Sequence, residues 1–214
     1  MKFPTEYENY PPRWATFDEG INEHRAADFK FAGTVPDVRR FGARYRASRC
    51  FREVKFVGMT ESTSDGYSAL CHLLLAYSAF EYLLLALGLD QHKTNTLLTT
   101  AERQKILKNI SVLDSGGALV IFMKRHLRKA HQRELDLYLS GQPCNPFFLA
   151  SGLRHLFAHG VLTPNPRDSA GRTIPSVAKV SRYLTRVLVK VMDREFGKQM
   201  DTFEASKPKT TRPS

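Results

Sequence analysis

The spacing of apolar and polar residues divides the chain near residue 60. From residue 62 onward apolar positions recur at helical spacing, and the runs open or close on cap signals. Residues 64–87 are apolar almost all round and stop at Gly88, which predicts a central helix packed on every side. Thr99-Thr100-Ala101-Glu102 reads as a capping box, in which each end residue's side chain accepts from the other's backbone N–H. It opens a second helix through Ile106, Ile110 and Leu113, which Gly116-Gly117 breaks. A third is expected over 118–139, ending before Gly141. Asn145-Pro146 gives an N-cap followed by proline at the first helical position, and Gly160 closes that short fourth helix. A Pro/Asn/Gly loop spans 163–172. A fifth helix runs from near Pro175 to near Phe203. Five helices with short connections predict an all-α fold, an antiparallel bundle over 61–204.

Residues 1–60 lack a sustained helical period and hold Pro4, Pro11, Pro12 and Pro36. They are expected to form an irregular, basic N-terminal extension, with a short strand over 52–57. Within it Arg39, Arg40, Arg44, Arg46, Arg49, Arg52 and Lys55 alternate with Phe41, Tyr45, Phe51 and Phe56. Cations beside aromatic rings suit single-stranded RNA, through phosphate pairing and base stacking. Arg44 and Arg46 are the RNA-binding candidates here. The other reading is an arm that packs its rings on the core and leaves the arginines in water. Residues 205–214 are polar and read as a disordered tail.

Charge narrows the partners. The 214 residues include 32 Lys plus Arg against 21 Asp plus Glu, a net +11, which favours a polyanion. The cysteines, Cys50, Cys71 and Cys144, are odd in number with no C-x-x-C, so a reducing, cytoplasmic setting is expected. The polar N-terminus does not read as a secretory signal. Residues 69–89 are nearly long enough to span a bilayer. His72 and Glu81 in their body favour a buried core helix, and no membrane partner is expected.

The chemistry concentrates near the end of the fourth helix. The sequence holds no phosphate loop, no G-x-S-x-G and no H-E-x-x-H. Arg154 supplies a fixed planar cation suited to phosphate, and His159 moves protons near neutral pH. Cleavage of a phosphodiester by the RNA's own 2′-hydroxyl needs both, a proton carrier and a cation over the phosphorane. On an ideal helix the two side chains point about 140° apart, so arginine's reach must close the gap. His155 is placed to orient one of them or to contact phosphate. Glu81, a carboxylate in an apolar helix, needs a partner, either Arg154 or His159 for function or another arginine for structure. His155 and His159 are spaced i, i+4 as zinc ligands often are, but no third ligand lies near in sequence. No metal and no cofactor is therefore expected.

The stretch Phe148-Leu149-Ala150-Ser151-Gly152-Leu153-Arg154-His155-Leu156-Phe157-Ala158-His159-Gly160 resembles the R-x(4-6)-H signature of the HEPN superfamily. Arg154 matches its Arg, His155 the polar neighbour and His159 its His. Residues 76–84 are similar to the long first helix of that superfamily. The resemblance implies a four- or five-helix bundle over 62–203 that pairs as a homodimer, with two motifs facing one cleft. It implies a metal-independent endoribonuclease of toxin or defence type, with an antitoxin or regulatory partner. The alternative it leaves open is a non-catalytic module that binds RNA or a nucleotide and acts through a partner. One branch carries a tyrosine two residues after the His, modified by a nucleotidyltransferase; Val161 stands here.

Two further basic segments bear on RNA. In the last helix Lys179, Arg182, Arg186, Lys190, Arg194 and Lys198 recur every three or four residues opposite an apolar face. With no acid in that register, they read as a phosphate track, as a membrane-surface helix or as a solvated face. Lys124-Arg125-His126-Leu127-Arg128-Lys129-Ala130-His131-Gln132-Arg133 adds positive charge without catalytic spacing.

Overall fold

The computed structural model describes residues 6–22 and 26–206. The expected tail over 205–214 lies outside them but for its first two residues, which end the last helix. Among the described residues the chain is all-helical, and its only bridge of β type joins Arg167 to Thr173. The α-helices are α1 (Trp14–Gly20), α2 (Val35–Cys50), α3 (Glu61–Leu87), α4 (Thr100–Leu113), α5 (Ala118–His126), α6 (Lys129–Leu139), α7 (Pro146–Ala158) and α8 (Val177–Ser206). Turns of 3₁₀ type occupy Ala26–Phe29 and Gln91–Leu97.

The central helix is α3. Leu73, Ala76, Phe80 and Leu83 are fully buried along it, and α2, α7 and α8 pack against it. It is the one described helix long and apolar enough to cross a membrane, and about 50% of that apolar window is buried inside the protein. Contacts give the directions of its neighbours. Arg44 meets Ser78 while Val54 meets Ser68, so α2 runs antiparallel to α3. Arg182 meets Asp65, and residues near His72 face Thr185 and Arg186, so α8 runs parallel to it. The purely antiparallel arrangement expected from short connections does not hold for that pair.

The N-terminal expectation is corrected. Trp14–Gly20, Ala26–Phe29 and Val35–Cys50 are helical, and most of the rings of this segment belong to the core. Trp14, Phe17, Phe29, Phe31, Phe41 and Tyr45 are buried among residues that include Phe196 and Phe203 of α8. Thr34 and Asp37 form a complete capping box at the start of α2, with Pro36 inside its first turn. Burial of Phe41 and Tyr45 removes them as base-stacking platforms; the Tyr45 hydroxyl donates to Asp193 instead. Residues 52–57 form no strand. No strand lies beside them, and the Ser68 hydroxyl takes the Val54 N–H at 2.9 Å.

The expected helix over 118–139 is two helices. Leu127 and Arg128 adopt extended conformations, and the Gln132 amide donates to the carbonyls of Lys124 and Leu127, closing α5 as α6 begins. Three local devices then place α7. The Asn145 side chain accepts from the Phe147 N–H and donates to Thr94. Glu134 of α6 accepts the Asn145 N–H at 2.8 Å. Gly152 brings α7 against α5, because a Cβ there would lie 2.7 Å from Met123 and 2.8 Å from Leu127. The expected fifth helix is α8, beginning two residues after Pro175.

Candidate active site

Arg154 leaves α7 in its third turn and reaches α3. Its Nη2 donates to both oxygens of Glu81 at 2.6 Å, and its guanidinium carbon lies 5.4 Å from the Tyr77 ring centroid. Glu81 thus finds its partner in Arg154. A single nitrogen serves both oxygens, so Nε and Nη1 remain as donors directed by a fixed plane. The side chains are 30% and 41% exposed, so the pair sits at the surface and not in the core.

Beside it stand three imidazoles. His155 and His159, one turn apart, have ring centroids 4.4 Å apart at 58°. His155 also lies over His131 of α6, 6.0 Å away at 26°, and His131 meets the edge of Phe148. Burial, then the charges of His159, Arg154 and Arg128, hold the His155 imidazole below its ordinary pKa. Burial and the His155 charge do the same to His131. His155 therefore feels both Arg154 and His159, although no hydrogen bond joins those two within one protomer.

His159 is the C-cap of α7, one position beyond the last helical turn, and is exposed. Gly160 follows with φ 71, a conformation glycine adopts without strain, and the N–H groups of Val161 and Leu162 return to the Leu156 carbonyl. Arg154 and His159 point apart, as helix geometry requires. Among the described residues no group of three or more His, Cys, Asp or Glu side chains is placed to hold a metal ion.

A partly open face of α3 continues the site. Leu74, Leu75, Ser78, Glu81, Tyr82 and Leu85 share helical spacing and are half-buried or exposed. Arg154 grips one edge at Tyr77 and Glu81. Arg44 of α2 grips the other: its Nη1 donates to the Ser78 hydroxyl at 2.6 Å, and its guanidinium lies 4.4 Å over the Tyr82 ring. Sequence reasoning selected Arg44 as a possible RNA contact. It missed Tyr77, Tyr82 and His131, although Tyr77 stands one turn before Glu81.

The remaining RNA candidates lie elsewhere. Arg46 meets Tyr10. The α8 stripe is corrected in part, because acids from other positions reach it. Arg182 pairs with Asp65; Arg194 pairs with Glu102 and the buried Glu195; Lys198 also pairs with Glu195. Lys179, Arg186 and Lys190 are exposed and, among the described residues, make no ion pair. No protein-family model, curated protein or solved structure matches this chain.

Proposed function

We propose that this chain is a metal-independent endoribonuclease that cuts single-stranded RNA, built as a HEPN-like helical bundle. The observation that carries the reading is the end of α7. An arginine anchored by Glu81, with donors to spare, stands next to two imidazoles in contact. In the proposed reaction the substrate 2′-oxygen forms a bond to phosphorus as the bond to the 5′-oxygen breaks. His155, held below its ordinary pKa, accepts the 2′-hydroxyl proton, and protonated His159 delivers one to the leaving 5′-oxygen. Arg154 stabilises the charge on the phosphorane. The half-exposed apolar face of α3 favours a homodimer, in which a two-fold axis brings a second set of these residues to the same cleft. A toxin or defence role with a regulatory partner follows from the same resemblance.

A non-catalytic RNA-binding module is the second reading. The absence of any hydrogen bond between Arg154 and His159 within a protomer favours it.

Product chemistry tests the choice. RNA cut in EDTA should carry 2′,3′-cyclic phosphate and 5′-hydroxyl ends, and DNA, lacking the 2′-hydroxyl, should survive. Arg154→Ala and His159→Ala should each lose on the order of a hundredfold in rate while keeping RNA affinity. Binding without cleavage of any strand selects the second reading. A scattering mass of 24.3 kDa, not twice that, removes the composite cleft.

A further inference from the structure

A pair of cavities lies on the other side of α3. Nine residues at about 100° each put His72 roughly opposite Glu81 around the helix. There, two adjoining cavities, one of about 980 Å³ and one of about 610 Å³, share Arg52, His72, Thr185 and Arg186. They form one groove between the end of α2, the segment that follows it, the first half of α3 and the middle of α8. Its size is that of a small-ligand site.

Six cations, Arg49, Arg52, Lys55, Arg182, Arg186 and Lys190, line the groove against five acids. Three of its acids are engaged: Glu53 pairs with Lys55, Asp65 pairs with Arg182, and Asp193 takes the Tyr45 hydroxyl. Glu8 and Glu61 also line it. Among the described residues Arg49, Arg52, Arg186 and Lys190 make no ion pair, and they come from two parts of the chain, the end of α2 with the segment after it and α8. At the junction of the two cavities sits His72, beside the Phe51 ring at 5.4 Å. A hydrogen bond to the Ser48 main chain fixes one ring nitrogen. Burial, and then the nearby charges of Arg49, Arg182 and Arg52, hold this imidazole below its ordinary pKa. Like charges gathered around a half-buried, protonatable ring are compensated by an anion, and planar guanidinium donors match a phosphate.

We infer that this groove binds a phosphate group, held between Arg52 and Arg186 above His72. A free nucleoside polyphosphate and the 5′-phosphorylated end of an RNA strand share that chemistry. The site is independent of Arg154 and His159, so it stands or falls apart from the nuclease reading.

Isothermal titration of the full-length His159→Ala chain, which leaves RNA uncut, tests it. The probes are inorganic tripolyphosphate, ATP, and one hexaribonucleotide with a 5′-phosphate or a 5′-hydroxyl. Tripolyphosphate should bind saturably. Arg52→Ala and Arg186→Ala should each weaken it about tenfold, and Lys105→Ala, an exposed lysine on α4, should leave it unchanged. Both arginines are exposed, so neither variant removes core packing. Tighter binding of the 5′-phosphorylated strand than of ATP identifies an RNA end; the reverse order identifies a free nucleotide. No saturable tripolyphosphate binding, or equal weakening by Lys105→Ala, overturns the site.

Discussion

Glu81→Gln separates positioning from stability at the Arg154 site. The substitution keeps the size of the side chain and removes its charge, so the Arg154 guanidinium loses a carboxylate bonded at 2.6 Å through both oxygens. With the side chains 30% and 41% exposed, water screens the pair. Such pairs contribute about 0.2–1 kcal/mol, and in a chain of this length each kcal/mol moves Tm by roughly 2–4 °C. A fall of no more than about 4 °C is therefore expected. Activity should respond far more. In the proposed reaction Arg154 lies over the phosphorane, and a misplacement of about 1 Å costs on the order of a hundredfold. The expected result is a kcat lowered about ten- to a hundredfold with near-normal KM, partly recovered in Glu81→Asp. Paired calorimetry and single-turnover cleavage provide the measurements. An unchanged kcat refutes the positioning role, and a Tm loss well beyond the expected range would show that the pair is chiefly structural.

Two further outcomes are expected. Trp14→Ala removes a buried ring packed against Phe17, Phe196 and Gly42, and should cost about 3–5 kcal/mol in a denaturant titration; a change below about 1 kcal/mol would detach the N-terminal segment from the core. Stability should also fall on acidification below about pH 6.5, because His72, His131 and His155 all titrate below their ordinary value when folded, so the unfolded chain binds more protons in that window. Tm measured between about pH 7.5 and 5.5 should drop less in His131→Phe than in the parent chain; equal slopes would contradict it.

Local signals were legible wherever one short segment carries its own cap. Thr99 with Glu102, Asn145 before Pro146, and the glycines at 88 and 160 mark helix ends that the structure keeps. The same logic extends to α2, where Thr34, Pro36 and Asp37 form as complete a start signal. Its buried positions, Val38, Phe41, Tyr45 and Ser48, also recur at three- and four-residue spacing. The arginines between them made the pattern look like alternating cations and rings. The break at Leu127–Arg128 carries neither proline nor glycine, so it is set by packing and by Gln132. The site divides in the same way. Arg154, His155 and His159 lie on one helix end and were readable together. The Arg154–Glu81 pair spans 73 positions, and Arg182 finds Asp65 across 117, so no local pattern encodes either.

The two basic faces differ in how their cations are held, and that difference suits them to the different work proposed for each. On the α3 face Arg154 and Arg44 are each bonded to an α3 side chain, and each guanidinium lies over a tyrosine ring. Their freedom is already lost in the unliganded protein, so little more is lost when a phosphate arrives, and their planes are fixed in advance. That is what chemistry at a single phosphorus atom requires. Among the described residues Arg186 and Lys190 on α8 have no such anchor and are exposed to water. Exposed cations attract a polyanion over a distance and yield to salt, and they order only when the anion arrives. Net charge of +11 therefore does not by itself locate a catalytic site. The feature that supports the proposed site is the small number of guanidiniums that the fold anchors while leaving them partly exposed, and one of them, Arg154, is close enough to His155 for its charge to act on that imidazole.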